Sequence, residues 1–189
     1  MRFTALPVAG AHVVDLEPVE DARGGFARAF CADDFVAHGL EPVIAQVNLS
    51  WNTHAGSLRG LHLQDPPEAK LIRCLRGAVH DVMVDLRTDS PTYLQWCGVE
   101  LQAAARRAVY VPPGCAHGYL ALTDGAEVLY SVSEAYVPGA ERGVRWDDPV
   151  IGIAWPREVV VVSDKDAAWP PLPDHCGTVS VTTKEPRDA

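Results

Sequence analysis

"VYVPPGCAHGYLAL", residues 109 to 122, is the stretch that decides the fold. It consists of two runs of apolar and aromatic residues separated by a corner, Pro112 to Gly114, and the second run carries one histidine, His117. Short apolar runs bounded by glycine and proline are typical of strands joined by turns. The stretch therefore predicts two β-strands, the second of which presents a histidine.

The same pattern recurs through much of the chain, where fifteen glycines and fifteen prolines punctuate short apolar runs. Further predicted strands are "GVELQ" (98–102), "RAVYVP" (107–112), "HGYLAL" (117–122) and "AEVLYSVS" (126–133). "KLIRCLRGAVHDVMVDLR" (70–87) predicts a hairpin that turns at Arg76-Gly77. Helical signal is confined mainly to "CADDFVAHG" (31–39), where Asp33 or Asp34 could open one or two turns that stop at Gly39. The spacing favours a β-sandwich or barrel.

The run "VIAQVNLS" (43–50) alternates between apolar and polar residues. Val43, Ala45, Val47 and Leu49 share one face of the predicted strand, and Gln46, Asn48 and Ser50 share the other. A polar face of this kind is commonly solvated. The alternation leaves open whether it forms the wall of a pocket instead.

Length and charge limit the classes of function. A chain of 189 residues with 48% hydrophobic content predicts one domain with a sizeable core. The formal net charge of -9 argues against a nucleic-acid or membrane-surface partner, so an anionic ligand would need locally focused arginines. No signal peptide or membrane span is evident, and the five widely spaced cysteines predict free thiols in the cytoplasm.

Two histidines stand at glycine-proline corners. A metal-binding cupin presents H-x-H with a following glutamate and then P-x-G-x-x-H, because several ligands must converge on one ion. Here Gln64 occupies the place of the second histidine after His62, although Glu68 follows and His117 completes the second motif. The pattern predicts an all-β, cupin-type jelly-roll β-barrel with a few short helices, and it favours proton transfer over metal binding. Hydrogen-bonded core histidines and a metal-dependent cupin enzyme remain as alternatives.

Several stretches, in this order, resemble one family of proteins. They are "DARGGFARAF" (21–30), "QVNLS" (46–50), "LRGLHLQDPP" (58–67), "AKLIRCLRGAVHDVMVDLRTDSPTY" (69–93), "VYVPPGCAHGYLAL" (109–122), "LYSVSEAYVPGAERGVRWDDP" (129–149) and "IAWP" (153–156). The chain resembles the nucleotide-sugar epimerases typified by dTDP-4-dehydrorhamnose 3,5-epimerase, a metal-free branch of the cupin superfamily. The resemblance implies one epimerase domain over residues 1–176, a flexible tail over 177–189, no metal and no cofactor.

The resemblance implies a reaction in deoxysugar biosynthesis that removes and returns a proton beside the ketone of a 4-keto-6-deoxy sugar. His62 would be the base, and Tyr130 the acid on the far side of the ring. Lys70 would face the 4-keto oxygen, where charge develops as the proton leaves. Asp166, with Asp164 as the alternative, would fix the tautomer of the histidine.

The resemblance also implies a substrate-binding set around these residues. A nucleotide-diphosphate sugar, dTDP-linked by resemblance, would contact Gln46, Asn48, Arg59, His117, Tyr136 and Glu141, with Asp81 and Asp164 behind them. Arg23 and Phe26 would reach the nucleotide from a neighbouring subunit, which implies a homodimer. Arg59 and His62 would face opposite ways on a regular strand, and a bulge at Gly60 would bring both inward.

The sequence departs from the family pattern near the sugar. Only seven residues separate His62 from Lys70, Glu68 adds negative charge, and Ser131 replaces a residue that is often basic. The catalytic set is retained while the loop is shorter. A 3,5-epimerase, a single-centre epimerase acting at C3 or C5, and a non-catalytic nucleotide-sugar binder are therefore all retained as interpretations.

Overall fold

The computed structural model describes residues 1–172. Within them lie thirteen β-strands, two short α-helices and one 3-10 turn at Ala103–Ala105. The strands are β1 (Arg2–Ala5), β2 (His12–Asp15), β3 (Val19–Asp21), β4 (Gly24–Phe26), β5 (Gln46–Asn52), β6 (Leu58–Gln64), β7 (Lys70–Arg76), β8 (Ala78–Asp85), β9 (Trp96–Gln102), β10 (Ala108–Val111), β11 (Cys115–Ala121), β12 (Ala126–Val132) and β13 (Glu141–Gly143). The helices are α1 (Ala32–Ala37) and α2 (Asp164–Ala167). The prediction of an all-β protein with few short helices is confirmed.

Two antiparallel sheets form the body of the protein. The first has six strands in the order β1-β2-β10-β7-β12-β5, and the second has five in the order β13-β6-β11-β8-β9. Strands β3 and β4 form a separate two-stranded hairpin. Sequence neighbours are often not sheet neighbours, as expected of a jelly roll, in which the chain crosses repeatedly between sheets.

The main core fills the space between these sheets at one end. Apolar side chains that are almost fully buried come from both of them, including Ile72 and Val128 on one side and Val79, Met83 and Leu101 on the other. Alternating strand residues point to opposite faces, so each strand sends only every second residue into this core. The other end of the same space is left for polar residues.

The predicted hairpin at Arg76-Gly77 is wrong. Strand β7 belongs to the six-stranded sheet and β8 to the five-stranded sheet. Gly77 has a φ of 70°, and a Cβ there would collide with the Thr123 hydroxyl. The turn therefore needs glycine, but it transfers the chain between sheets.

The predicted helical segment is confirmed. Helix α1 begins after Cys31, so Asp33 and Asp34 occupy its first turn, where negative charge complements the helix dipole. It ends at His38 and Gly39, whose amides donate to Phe35 and Val36 carbonyls. Neither α1 nor α2, the α-helices within residues 1–172, has the length and apolarity required to cross a membrane.

The chain after β13 returns along the five-stranded sheet. Ile151 is almost fully buried against Val82, Val84 and Ala116, and Trp155 packs beside them. Further on, Leu58 donates its amide to the carbonyl of Val161, which brings the following helix α2 to the edge of the barrel. The predicted boundary at residue 176 and the predicted tail over 177–189 lie outside the described residues.

Candidate active site

A cavity of about 640 Å³ opens between the two sheets at the polar end of the barrel. This volume lies within the range usual for small-molecule sites. Its lining is Gln46, Asn48, Ser50, Arg59, His62, Leu63, Gln64, Glu68, Lys70, His117, Gly118, Tyr119, Tyr130, Val132, Tyr136, Glu141, Ser163, Lys165 and Asp166. The fold thus brings ten of the fourteen sequence-predicted site residues to one pocket. Asp81 lies directly behind it.

His62 and Asp166 form a tightly bonded pair in this cavity. The imidazole Nε2 lies 2.6 Å from Asp166 Oδ1, and the carboxylate side chain is 5% exposed. The carboxylate accepts a hydrogen bond from Nε2, so the neutral ring keeps its lone pair on Nδ1. That free nitrogen is the one able to take a proton.

Asp166 is held in place by local backbone structure. Ser163 caps the four-residue helix α2 by accepting a hydrogen bond from the Asp166 amide, and the Gly60 amide donates to Asp166 Oδ2 at 3.0 Å. Burial alone would raise the pKa of the Asp166 carboxyl, but the hydrogen bonds from His62 and Gly60 outweigh burial and lower it. Asp164, the alternative partner, is exposed at the start of the helix. Asp166 is therefore the residue that contacts the histidine.

The predicted bulge in β6 is present. His117 pairs with His62 while Tyr119 pairs with Arg59, so three residue steps on β6 match two on β11. Gly60 lies in this irregular stretch with a φ of 122°, and a Cβ there would come within 2.8 Å of the His117 carbonyl oxygen. The extra residue restores the facing of the strand, so Arg59 and His62 both line the cavity.

Lys70 lies at the floor of the cavity with its side chain 8% exposed. Its ammonium donates to the His62 carbonyl oxygen at 3.1 Å and pairs with Glu68 at 3.3 Å. A lysine ammonium has three hydrogens to donate, so its one hydrogen bond leaves further donors. The cation is thus fixed beside the strand that carries the histidine.

Tyr130 approaches from the opposite sheet. It lies on β12, paired with Asn48 on β5 and Ile72 on β7, and it lines the cavity that His62 enters from β6. Burial is the largest cause that raises the pKa of the Tyr130 phenol, and nearby Tyr119 adds to it. The hydroxyl therefore keeps its proton through a wider range of alkaline pH.

A second histidine–aspartate pair lies on neighbouring strands. His117 Nε2 donates to Asp81 Oδ2 at 2.8 Å, and the carboxylate is fully buried. Asp81 Oδ1 has no hydrogen-bond partner among the described residues. The pair fixes the orientation of His117 in the cavity wall.

The polar stripe of β5 faces inward. Gln46, Asn48 and Ser50 are partly buried and line the cavity, and the Gln46 amide donates to Asn48 at 2.7 Å. The apolar face is the exposed one: Val47, Leu49 and Trp51 are 53%, 50% and 67% exposed. Sequence alternation showed the two faces without deciding which was inside.

Lys165 lines the cavity beside the predicted Glu141, although the sequence analysis did not identify the lysine. Glu141 Oε1 lies 3.5 Å from His62 Nδ1, and its other oxygen pairs with Lys165. This ion pair raises the pKa of the lysine. Lys165 stands between the two aspartates considered as partners of His62, so its position in "SDKD" was the available signal.

Another missed residue is Trp169, whose ring lies edge-on to His62 with the ring centroids 6.4 Å apart. A Cβ at Gly143 would collide with this indole. The glycine therefore lets the tryptophan pack closely against β13, the strand paired with the one that carries His62.

Arg23 and Phe26 lie on the β3–β4 hairpin. Within residues 1–172, neither of them lines the cavity of its own chain. Arg23 pairs with Asp21 at 2.6 Å, and Phe26 is 78% exposed. The structure does not bring them to the other predicted site residues within one subunit.

In the described part of the chain, no three histidine, cysteine, aspartate or glutamate side chains are arranged to hold a metal ion. His62 and His117 each use Nε2 to bond a different aspartate. The four described cysteines, Cys31, Cys74, Cys97 and Cys115, are free.

Known proteins of one family match this chain over most of its length. The family model described as dTDP-4-dehydrorhamnose 3,5-epimerase matches residues 5–174. The chain belongs to this family. A family member from Methanothermobacter thermautotrophicus, named dTDP-4-dehydrorhamnose 3,5-epimerase, is 43% identical over 92% of this chain and 96% of its own.

Two further family members bear on the chemistry. A Streptomyces niveus protein named dTDP-4-dehydrorhamnose 3-epimerase is 41% identical over 88% of this chain and 81% of its own. The crystal structure of a dTDP-4-dehydrorhamnose 3,5-epimerase from Bacillus anthracis, with TDP and PPi bound, superposes with a TM-score of 0.86 at 36% identity, covering 90% of this chain and 99% of that one. The cupin-type fold predicted from the sequence is the fold of this family.

Proposed function

We propose that the protein is a cofactor-independent epimerase of a nucleotide-diphosphate-linked 4-keto-6-deoxy sugar, of the dTDP-4-dehydrorhamnose 3,5-epimerase type. One observation carries the proposal: His62, bonded to Asp166, and Tyr130 line the same cavity from opposite sheets. Inversion at carbon requires a proton to leave one face and another to arrive at the opposite face. A base and an acid on facing walls suit that requirement.

His62 is assigned the role of base, acting through Nδ1. Asp166 holds the hydrogen of the neutral ring on Nε2 and stabilises the imidazolium after the proton transfer. Glu141, 3.5 Å from Nδ1, is a second carboxylate near the charged ring. The proton that His62 removes is the one attached to the carbon beside the ketone.

Loss of that proton converts the ketone to an enolate, whose charge resides largely on the oxygen. Lys70 is assigned to this oxygen because it is a nearly buried cation that lines the same cavity as His62. A fixed cation in a site of reduced dielectric stabilises developing charge without reorganising. Tyr130 then donates its phenolic proton to the carbon from the other side.

The remaining cavity residues are assigned to the rest of the substrate. Gln46, Asn48 and Arg59 offer amide and guanidinium donors for the sugar and diphosphate, and Arg59 suits two phosphate oxygens at once. Tyr136 is assigned to the nucleotide end and His117 to the wall of the sugar pocket, whereas Glu141 lies beside the His62 imidazole. dTDP is the favoured nucleotide because the Bacillus anthracis relative binds TDP.

The site is proposed to be completed by a second copy of the chain. The exposed outer face of β5, with Val47, Leu49 and Trp51, is an apolar surface of the kind that dimer interfaces bury. Phe26 and Arg23 are likewise exposed on the projecting β3–β4 hairpin. In a homodimer, this hairpin would supply an arginine and an aromatic ring to the nucleotide in the neighbouring subunit.

A cytoplasmic location is part of the proposal. The four described cysteines are free thiols, which suit a reducing compartment. Cell fractionation with an antibody to the protein tests this.

A single-centre epimerase is the second candidate. The Streptomyces niveus relative is named as a 3-epimerase, and the short loop between Gln64 and Lys70 shapes the part of the cavity in which a ring must turn for inversion at a second carbon. The shape of this loop, more than the identity of the base, would decide whether one or two carbons of the sugar are inverted.

The deciding experiment follows deuterium incorporation by NMR with dTDP-4-keto-6-deoxyglucose in heavy water. Chelator-treated protein is compared with untreated protein in the same assay, because a metal-dependent enzyme would lose activity. Label and inversion at C3 and C5 mean a 3,5-epimerase, and label at one carbon means a single-centre enzyme. Binding of the nucleotide sugar without label at either carbon would contradict an epimerase and favour a binding protein.

A further inference from the structure

Glu68 is a charged residue in the cavity to which the proposed reaction assigns no part. Its side chain is 10% exposed, and it lines the cavity two residues before Lys70. A nearly buried carboxylate costs free energy unless it is paired, so its position calls for a partner. The partner is the Lys70 ammonium, 3.3 Å from Oε1.

The contacts of Lys70 show what this pairing does to the ammonium. Its Nζ donates a hydrogen bond to the His62 carbonyl oxygen at 3.1 Å and forms an ion pair with Glu68 Oε1 at 3.3 Å. The hydrogen bond fixes one ammonium hydrogen, and the attraction of the carboxylate restricts where the charged end of the side chain can lie. A flexible four-carbon side chain has several rotamers, and a hydrogen bond together with an ion pair at its end favours one of them.

The pairing also links the lysine to the base. Its hydrogen-bond acceptor is the backbone carbonyl of His62, and its ion-pair partner lies in the short loop that precedes β7. The position of the cation is therefore set relative to the strand that carries the imidazole. A base and an oxyanion-stabilising cation act on adjacent atoms of the substrate, so their mutual placement matters to the rate.

We propose that Glu68 is the positioning residue for Lys70, and that its ion pair holds the ammonium where it faces the oxygen that becomes the enolate. This rests on the proposed epimerase function. Glu68 itself contacts neither the reacting carbon nor the transferred proton, and it acts through Lys70. The short loop between Gln64 and Lys70 is then the element that supplies this carboxylate.

The inference predicts a particular pattern among three substitutions. Glu68→Gln keeps an oxygen that can accept from the ammonium, Glu68→Met keeps most of the volume without a strong acceptor, and Glu68→Ala removes both. We expect kcat to fall about tenfold to a hundredfold in the Met and Ala variants, since a misplaced group costs rates of that order. We expect the Gln variant to retain most of kcat and KM to change little throughout, because charge on the oxygen develops only in the transition state.

A double-mutant cycle separates this role from a structural one. Lys70→Met is combined with Glu68→Met, and kcat is measured for both single variants and the double variant by deuterium exchange. If Glu68 acts through Lys70, the Glu68→Met substitution has no further effect once the lysine is absent. Glu158→Gln, an exposed glutamate outside the cavity lining, is the matched control and should behave as wild type.

The outcomes are distinguishable. Equal loss from Glu68→Met with and without Lys70, or unchanged kcat in folded Glu68→Met protein, would overturn the positioning role while leaving the epimerase intact. Absence of any deuterium exchange in the wild-type protein would overturn the proposed function itself. Circular dichroism of each variant confirms folding, and the Gln and Met variants decide the matter if Glu68→Ala does not fold.

Discussion

His62 and His117 lie opposite each other on adjacent strands β6 and β11, and each bonds a different aspartate through Nε2. The equivalence ends there. His62 pairs with Asp166, whose side chain is 5% exposed at the cavity edge, whereas His117 pairs with Asp81, which is fully buried beneath the wall. The two pairs are therefore expected to differ in function.

The first prediction concerns these histidines. Replacing His62 with asparagine should lower kcat by about two to four orders of magnitude, the usual loss for a general base, with a much smaller effect on nucleotide binding. The matched change, His117→Asn, should lower kcat less because it alters the wall rather than the base. Steady-state kinetics and calorimetric titration with dTDP measure the two effects, and near-normal turnover by folded His62→Asn protein would exclude the assignment.

The second prediction compares two aspartates of one helix. Asp166→Asn should lower kcat by about a hundredfold or more, since the amide cannot stabilise the imidazolium as a carboxylate does. Asp164→Asn, an exposed residue two positions earlier, should leave kcat near that of the wild type. The reverse order of effects would show that the bond between His62 and Asp166 does not serve catalysis.

The third prediction concerns Tyr130. Tyr130→Phe should slow product formation more than it slows removal of the substrate proton, because the base remains and the returning acid is lost. Burial raises the pKa of this phenol above its ordinary value of 10.0, so loss of activity through its ionisation should begin only at more alkaline pH. Rapid-quench measurement of proton release beside product formation checks the first statement, and equal slowing of both steps would contradict it.

The fourth prediction concerns assembly. Arg23→Ala and His62→Ala subunits, each nearly inactive alone, should regain activity when mixed and allowed to exchange, because some hybrid sites receive both wild-type residues. Trp51→Lys should weaken the dimer by placing charge on the exposed apolar face of β5. Analytical ultracentrifugation follows the second effect. A fully active monomer at assay concentration would rule out a shared site.

The fifth prediction concerns acid stability. Burial alone would raise the pKa of Asp85, but hydrogen bonds from Arg87, Ser90 and Thr92 bring it down from 3.8 to about 2. A lowered pKa stabilises the folded state above the unfolded-state value, and this stabilisation is lost as the pH falls from about 4 toward 2.

Asp85→Asn should therefore reduce the free energy of unfolding by about 2 kcal/mol at pH 7, and the difference from the wild type should shrink toward zero near pH 2. Urea titration across this pH range measures it. Asp89→Asn, an exposed change in the following turn, serves as the control. A difference that stays constant from pH 7 to 2 would contradict the assigned cause.

Much of the fold and site was predictable because local sequence carried the signals. Glycine-proline corners and short apolar runs marked the strands. Because the resemblance implied that Arg59 and His62 both face inward, a bulge at Gly60 was expected, and it is present. The catalytic candidates followed from resemblance across several ordered segments. The strand signals are properties of neighbouring residues, so no knowledge of the packing was needed to predict the strands.

Other features depended on contacts between distant parts of the chain. Gly77 marked a turn, yet only the pairing of β7 with β10 and β12, and of β8 with β9 and β11, shows that the turn connects two sheets. The Glu68–Lys70 pair likewise needed the cavity walls, since charges two residues apart are usually solvated independently.

The sequence by itself determined the alternation of β5, because strand period is local, and the family resemblance carried by its ordered segments gave Asp164 and Asp166 as the candidates for the partner of His62. Tertiary structure decided that the polar face of β5 lines the cavity and that its apolar face is exposed. It also selected Asp166, because the Ser163 cap and the Gly60 amide hold that carboxylate 2.6 Å from His62 while Asp164 remains exposed. Which side of a strand or helix is buried depends on what packs against it, and that is fixed only when remote segments meet.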